Sequence, residues 1–183
     1  MNKNDFLRLE LEFNNLRRDN DSSCAWTQGH VIEKVVDFFD GCKNVLDIGS
    51  GVGKFVILSA KLKPLITWYG VEKNKDWHQL AFLNQNYFQV KNVKLILDDF
   101  RNIDIDKYEG FFIFNPFPMS NNYDERNDCV KYFKEILPKM KAGTKLVMYN
   151  KFCDIPKPFT EIKEAKVEGW QSCLHFYTNK LNA

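Results

Sequence analysis

The sequence predicts an α/β protein: a three-layer α/β/α sandwich on a mostly parallel, seven-stranded sheet with a C-terminal antiparallel hairpin. Three observations lead there. Short apolar runs alternate with segments of helical period from about residue 29 to residue 150, the pattern of a parallel sheet covered on both faces. The first run, V-L-D-I at 45–48, breaks into G-S-G-V-G, a glycine turn of the kind that follows the first strand of nucleotide-binding sheets. The tail, TEIKEAKVEGW followed by QSCLHFYTN, reads as two strands joined as a hairpin.

The elements follow in order. Residues 5–18 place Phe6, Leu9, Phe13 and Leu16 at helical spacing, an amphipathic helix that lies over the core. DNDSS (19–23) is a polar linker, and a second helix spans about 29–40. Strand 43–49 leads to a helix over 54–62, stopped before Pro64. Strand 66–72, helix 76–89, strand 93–99 and strand 110–115 come next. A helix over about 124–141 ends at Ala142-Gly143, strand 144–150 follows, and the hairpin occupies about 160–170 and 171–179.

Composition bounds the function classes. The 183 residues can bury a real core. Hydrophobic residues at 44% and charged residues at 27% are ordinary for a globular chain. Aromatics are high at 15%, with 16 Phe, more than a core needs, so some are expected to line a pocket. The net charge of +2 gives no strong nucleic-acid signature. No apolar run reaches the roughly 20 residues that span a bilayer, and MNKNDFLRLELEF has no uninterrupted apolar h-region. A cytoplasmic chain without membrane partners is expected. Cys24, Cys42, Cys129, Cys153 and Cys173 are odd in number and widely spaced, which predicts free thiols. With His30, His78 and His175 equally scattered, no metal site is expected.

The glycine loop admits three readings. A phosphate-binding P-loop needs G-x-x-x-x-G-K-[ST]; Gly53-Lys54 supplies G-K, but Ile48 stands at the first glycine and Phe55 at the hydroxyl. A dinucleotide fold needs G-x-G-x-x-G, and the spacing here is one residue short, although Glu72 stands about where its ribose acid would be. In the third reading, LDIGSGVG resembles the first motif of the class I S-adenosylmethionine (SAM)-dependent methyltransferases. The resemblance continues in register: VEKN (71–74) looks like the family's second motif, LDDF (97–100) like its third, and FNPFP (114–118) like the motif after the fourth strand. It covers about residues 29–180 and divides the chain into an N-terminal helical segment or lid, 1–28, and a methyltransferase domain, 29–183.

The resemblance implies a SAM cofactor and assigns residues to it. Gly49, Ser50, Gly51 and Gly53 form the turn that lets backbone approach the ligand. Asp47 is placed for the amino group of the methionine portion, whose carboxylate meets the helix N-terminus. Glu72 can accept both ribose hydroxyls. Asp99, preferred over Asp98, accepts from the adenine amine, and Phe100 offers its backbone N–H to the ring. N-P-F-P is similar to the N-P-P-F/Y of amino-methyltransferases, where the Asn side chain and the first Pro carbonyl accept from the target amine and the aromatic packs on it. Asn115, which also borders the cofactor, Pro116 and Phe117 take those parts, with the aromatic one place early. The first two motifs are also similar to the non-SET histone-lysine methyltransferases.

The expected activity is methyl transfer to a nitrogen of a protein, RNA or small-molecule acceptor. A SAM-binding module without catalysis or a partner-dependent subunit is the alternative, and an NAD-dependent oxidoreductase the minor one. Arg8, Arg17 and Arg18 in the N-terminal segment are expected to contact substrate. Trp26, Thr27 and Gln28 are expected to close over the pocket. Tyr123, Tyr149 and Asn150 are expected near the acceptor.

Overall fold

The computed structural model describes residues 1–16, 26–115, 123–167 and 172–180. Its seven strands are β1 Asn44–Ile48, β2 Thr67–Glu72, β3 Val93–Leu97, β4 Gly110–Phe114, β5 Lys145–Tyr149, β6 Phe159–Val167 and β7 Ser172–Asn179. They form one sheet in the order β3-β2-β1-β4-β5-β7-β6. The first five are parallel. β7 is antiparallel to β5 and pairs with the edge strand β6 as the expected hairpin.

Five helices flank it: α1 Lys3–Asn15, α2 Gly29–Val36, α3 Lys54–Leu62, α4 Lys75–Tyr87 and α5 Tyr123–Ile136. Helices α1 to α4 share one core with a sheet face, centred on Phe13, Val35, Phe55, Trp68 and Phe112. The other face carries α5, through Phe133 and Ile136, together with the short turns around Phe100, Ile105 and Tyr108. Between β3 and β4 there are only 3-10 turns, at Phe100–Asn102 and Ile105–Lys107. The sandwich is therefore thick on one side and thin on the other.

Burial follows from this layering. Val45 to Ile48 are buried at every position because both faces are covered. At the sheet edge, β6 exposes Glu161, Lys163, Glu164 and Lys166, charges that discourage pairing with another chain. Many of the phenylalanines are core: Phe55 stacks on Phe112 at 3.7 Å, and Trp68 stands edge-on to Phe39 and Phe55 at 5.8 and 5.7 Å.

Where element ends depart from the sequence reading, local chemistry explains them. α1 starts earlier because the Asn2 side chain accepts from the Asp5 N–H at 2.9 Å. α2 tightens into a 3-10 turn at Asp37–Phe39, and α5 into one at Leu137–Lys139. Pro138 in that second turn lacks the N–H that would extend α5. β4 and β5 stop one residue early because Asn115 and Asn150 take left-handed backbone, with φ of 43° and 63°. Cys42, Cys129, Cys153 and Cys173 are free thiols; Cys24 lies outside the described residues. No helix among the described residues is long and apolar enough to cross a membrane.

Phe112 ties α3 to the centre of the sheet. Phe112→Ala is expected to destabilise the protein by about 3–5 kcal/mol, read from the midpoint of urea unfolding.

Candidate functional site

The order of the sheet creates the site. After β3 the chain returns to the far side of β1, so the connections from β1 and β4 leave in opposite directions and open a crevice at their carboxyl ends. A small pocket lies there. The β1–α3 loop lines it with Asp47, Gly49, Ser50 and Lys54; aromatic walls come from Trp26, Phe55, Phe112 and Phe114.

The loop is fixed by its own backbone. Gly49, Gly51 and Gly53 have φ of 76°, 53° and 80°, the left-handed region that favours glycine. A Cβ at Gly53 would lie 3.1 Å from the Ala81 Cβ, so close packing of α4 adds to the requirement. The N–H groups of Gly49 and Ser50 donate to the Val71 carbonyl at 2.9 and 3.0 Å, and Gly53 donates to the Ser50 carbonyl at 2.9 Å. The Gly51 N–H donates to Glu72 Oε2 at 2.9 Å. The amides of the three glycines are thus committed to the protein. What remains for a ligand is the first turn of α3, which has no side-chain cap, and the Ser50 hydroxyl, which is buried and has no hydrogen-bond partner among the described residues.

Three buried ionisable groups surround the loop. Glu72, 6% exposed, accepts from Gly51 and, through Oε1, from the Asn74 N–H at 2.8 Å. Asp47 is 4% exposed; burial first and the Glu72 charge second push its carboxyl well above the usual carboxylate range. Lys54 is 5% exposed, with Nζ 3.0 Å from Glu10 Oε1 and 2.9 Å from Asn14 Oδ1, both on α1. Burial lowers its ammonium pKa and Glu10 opposes that.

The remaining assigned residues fall into three groups. Asp99 and Phe100 follow β3, beside Glu72 at the same sheet edge. The Asp99 carboxylate is already held by Arg101, at 2.9 Å to Nε and 2.6 Å to Nη2, which keeps it below the usual range. Asp98 is engaged as well, by the Asp99 N–H and the Asn102 amide. Asn115 is exposed at the end of β4, and Asn150 lies beside it, since Phe114 pairs with Tyr149. Pro116, Phe117, Arg17, Arg18 and the side chain of Tyr123 lie outside the described residues.

The segment before α2 contributes as expected, with Trp26 and Thr27 lining the pocket. Tyr149 does not face the cleft: it is 1% exposed, stacks under Phe114 at 4.2 Å and donates to Gln28 Oε1 at 2.9 Å. The sequence reading missed Lys54, Glu10, Phe55, Phe112 and Phe114 as site residues. Lys54 directly follows Gly53, a position that signals the first helical turn. Its partner Glu10 is 44 residues away, and no local pattern announces that pairing. A His/Glu group of the kind metals use, Glu161, Glu164 and His175, sits on the β6–β7 hairpin away from the pocket; there His175 pairs with Glu161 at 2.6 Å.

No protein-family model matches the chain, and no curated protein matches it in sequence. Solved structures match its fold. An RNA methyltransferase from Salinibacter ruber, in complex with S-adenosyl-L-homocysteine, aligns with a TM-score of 0.66 and 17% identity, over 87% of this chain and 96% of its own. A SAM-dependent O-methyltransferase from Thermotoga maritima aligns at 0.69 and 14% identity, over 94% of this chain and 71% of its own. Precorrin-6y C5,15-methyltransferase from Geobacter metallireducens aligns at 0.58 and 13% identity, over 89% and 96%. At such identities the likeness is one of fold: the chain shares the Rossmann-like α/β/α architecture of these SAM-dependent methyltransferases.

Asp47 makes stability depend on pH. Its unfolded carboxyl releases its proton near pH 3.9, whereas the folded one keeps it to higher pH. Between those two values the unfolded state binds fewer protons, so stability falls as pH rises. Asp47→Asn should therefore melt higher than the parent protein in the absence of ligand. The gap should widen as pH is raised from about 4, where the unfolded carboxyl titrates, toward the folded carboxyl's higher value. Thermal melts across that range check it.

Proposed function

We propose that the chain is a SAM-dependent methyltransferase that transfers its methyl group to a nitrogen of the acceptor. The observation that carries this reading is the charge pattern of the pocket. A buried acid, Asp47, and a group of unused donors, the Ser50 hydroxyl and the uncapped first turn of α3, share one small space. That pattern matches an α-amino acid, with one ammonium and one carboxylate a few ångströms apart. It suits a pyrophosphate less well, because two negative charges would then sit beside a buried acid.

The remaining groups extend the site along the sheet edge. Each Glu72 oxygen has one protein donor and so keeps one lone pair for a ribose hydroxyl. Among the described residues Asp99 Oδ2 accepts from Arg101 Nη2 alone and likewise keeps a lone pair, here for the adenine amine. The Phe100 N–H serves the ring. SAM supplies a methyl group on a sulfonium, already activated for in-line displacement. The protein's task is then to aim the acceptor's lone pair and to keep water away.

Asn115 and Asn150 fit the aiming role. They end neighbouring strands, both with left-handed backbone, and conformations of this kind concentrate at functional sites. Neither carboxamide has a hydrogen-bond partner among the described residues, so both can accept from an N–H of the acceptor. In the N-P-F-P resemblance the Pro116 carbonyl accepts from the target amine and the Phe117 ring packs on it. Protein, RNA and small amines are the acceptor classes; the Salinibacter ruber neighbour is an RNA methyltransferase, which makes RNA the first pool to try.

The test is calorimetry with SAM and S-adenosylhomocysteine (SAH), with NAD and ATP as controls, followed by transfer of tritiated methyl groups to RNA and protein fractions. SAM binding with transfer supports the reading. SAM binding without transfer to any fraction favours a non-catalytic module, and NAD binding instead of SAM overturns it. Two variants refine the assignment. Glu72→Ala should weaken SAH binding by about 1–3 kcal/mol, and unchanged affinity would remove Glu72 from the ribose site. Asn115→Gly keeps the left-handed backbone and removes the amide; transfer should fall about 100-fold while SAH affinity moves less than about twofold. Equal loss of both would place Asn115 in the cofactor site.

A further inference from the structure

Helix α1 is fastened to the pocket by more than apolar contact. Phe6 and Phe13 are buried at 1% and 0% exposure, and Phe13 stacks on Phe88 at 5.2 Å. Those contacts suffice to dock an amphipathic helix. In addition, Glu10 and Asn14 reach the Lys54 ammonium, and Glu10 also accepts from the Gly29 N–H at the start of α2. A Cβ at Gly29 would fall 1.9 Å from Glu10 Oε2, so the carboxylate occupies the space that a side chain there would need.

A buried ion pair of this sort is a weak source of stability, because desolvation offsets most of the attraction. Its placement is more informative. Lys54 lines the pocket beside Ser50. An ammonium has three N–H donors, and Glu10 and Asn14 take two. The Ser50 hydroxyl, in a residue only 9% exposed, has no partner, and the first turn of α3 is uncapped. Independent donors therefore converge on the pocket, and α1 orients one of them.

We infer that Lys54 is a cofactor-binding residue giving its third N–H to the carboxylate end of the cofactor, with α1 the strap whose Glu10 and Asn14 position that ammonium. This rests on the methyltransferase reading above. Coupling of this kind is reciprocal: a docked α1 tightens cofactor binding, and bound cofactor tightens the docking of α1. Among the described residues none of α1 lines the pocket; α1 meets the lining at Lys54 and, through Phe13, at Trp26, and Lys54→Met separates the two routes.

Hydrogen exchange and calorimetry with SAH test this. In the unmodified protein, SAH should slow amide exchange within residues 3–15. Glu10→Ala should weaken SAH binding about 10-fold, within the usual range for coupled sites. Glu10→Gln, whose amide oxygen still accepts from Lys54, should stay within about threefold of the parent, and Lys54→Met should lose at least as much as Glu10→Ala. Unchanged exchange in α1 on SAH binding overturns the inference. So does a Glu10→Ala protein that melts lower yet binds SAH as the parent does, because α1 is then structural only. If Glu10→Ala does not fold, the exchange measurement on the unmodified chain decides. Failure of the unmodified protein to bind SAH at all would instead overturn the methyltransferase reading, and with it this inference.

Discussion

The Glu72 carboxylate is the constraint around which the site is organised. It is nearly buried at the end of β2 and holds two backbone N–H groups, Gly51 in the β1–α3 loop and Asn74 before α4. Asn74 in turn caps α4, accepting from the Asp76 and Trp77 N–H groups. One side chain thus sets the relative position of two loops and the start of a helix at the carboxyl edge of the sheet. Its charge also acts on Asp47, one strand away, where it adds to burial in raising the pKa of that carboxyl. Two buried acids on neighbouring strands, with no cation against either among the described residues, are costly for a folded chain. A ligand carrying positive charge relieves that cost, so the unliganded site is poised for one.

The two sides of the sheet divide the work. The pocket's aromatic walls, Phe55, Phe112 and Trp26, belong to or pack on the core under α1 to α4. Leu46, Ile113 and Met148 face the other way, into the core under α5. The helices that shape the pocket are therefore all on the thick side. The thin side, with 3-10 turns in place of a helix between β3 and β4, closes the sheet and carries Asp99 and Phe100 at its rim. The high aromatic content noticed in the sequence serves both ends at once: the same rings fill the core and line the cavity.

Most of the fold was legible because its signals are local. Apolar runs, helical periods and the three alternating glycines fall within windows of about ten residues, and α3 was bounded correctly at both ends, Lys54 and Leu62. Where the reading slipped, a short-range effect had been passed over: Pro138 tightening the end of α5, Asn2 capping α1, and asparagines bending out of β4 and β5. The site was legible in its acids and glycines, which carry a motif. It was not legible in the Lys54–Glu10 pairing, which is made only when the chain folds, nor in the fate of the glycine amides. The partners of the Gly49 and Gly51 amides, the Val71 carbonyl and Glu72, are brought to them only by β2 pairing with β1. Asp99 showed the same limitation: the motif suggests a ligand acceptor, while its neighbour Arg101 already occupies it.

Trp26 has a consequence of a different kind. Its indole forms part of the pocket wall, meets Phe13 of α1 edge-on at 5.7 Å, and lies 5.9 Å from the Lys54 ammonium. Trp68, by contrast, is wholly enclosed by Phe39 and Phe55 and sees neither solvent nor cavity. Among the chain's four tryptophans, these two form an optical pair, one chromophore whose emission responds to charge and polarity at the cavity and another that stays constant. With Trp77 and Trp170 replaced by phenylalanine, occupancy of the cavity and movement of its wall can be followed in real time by light alone.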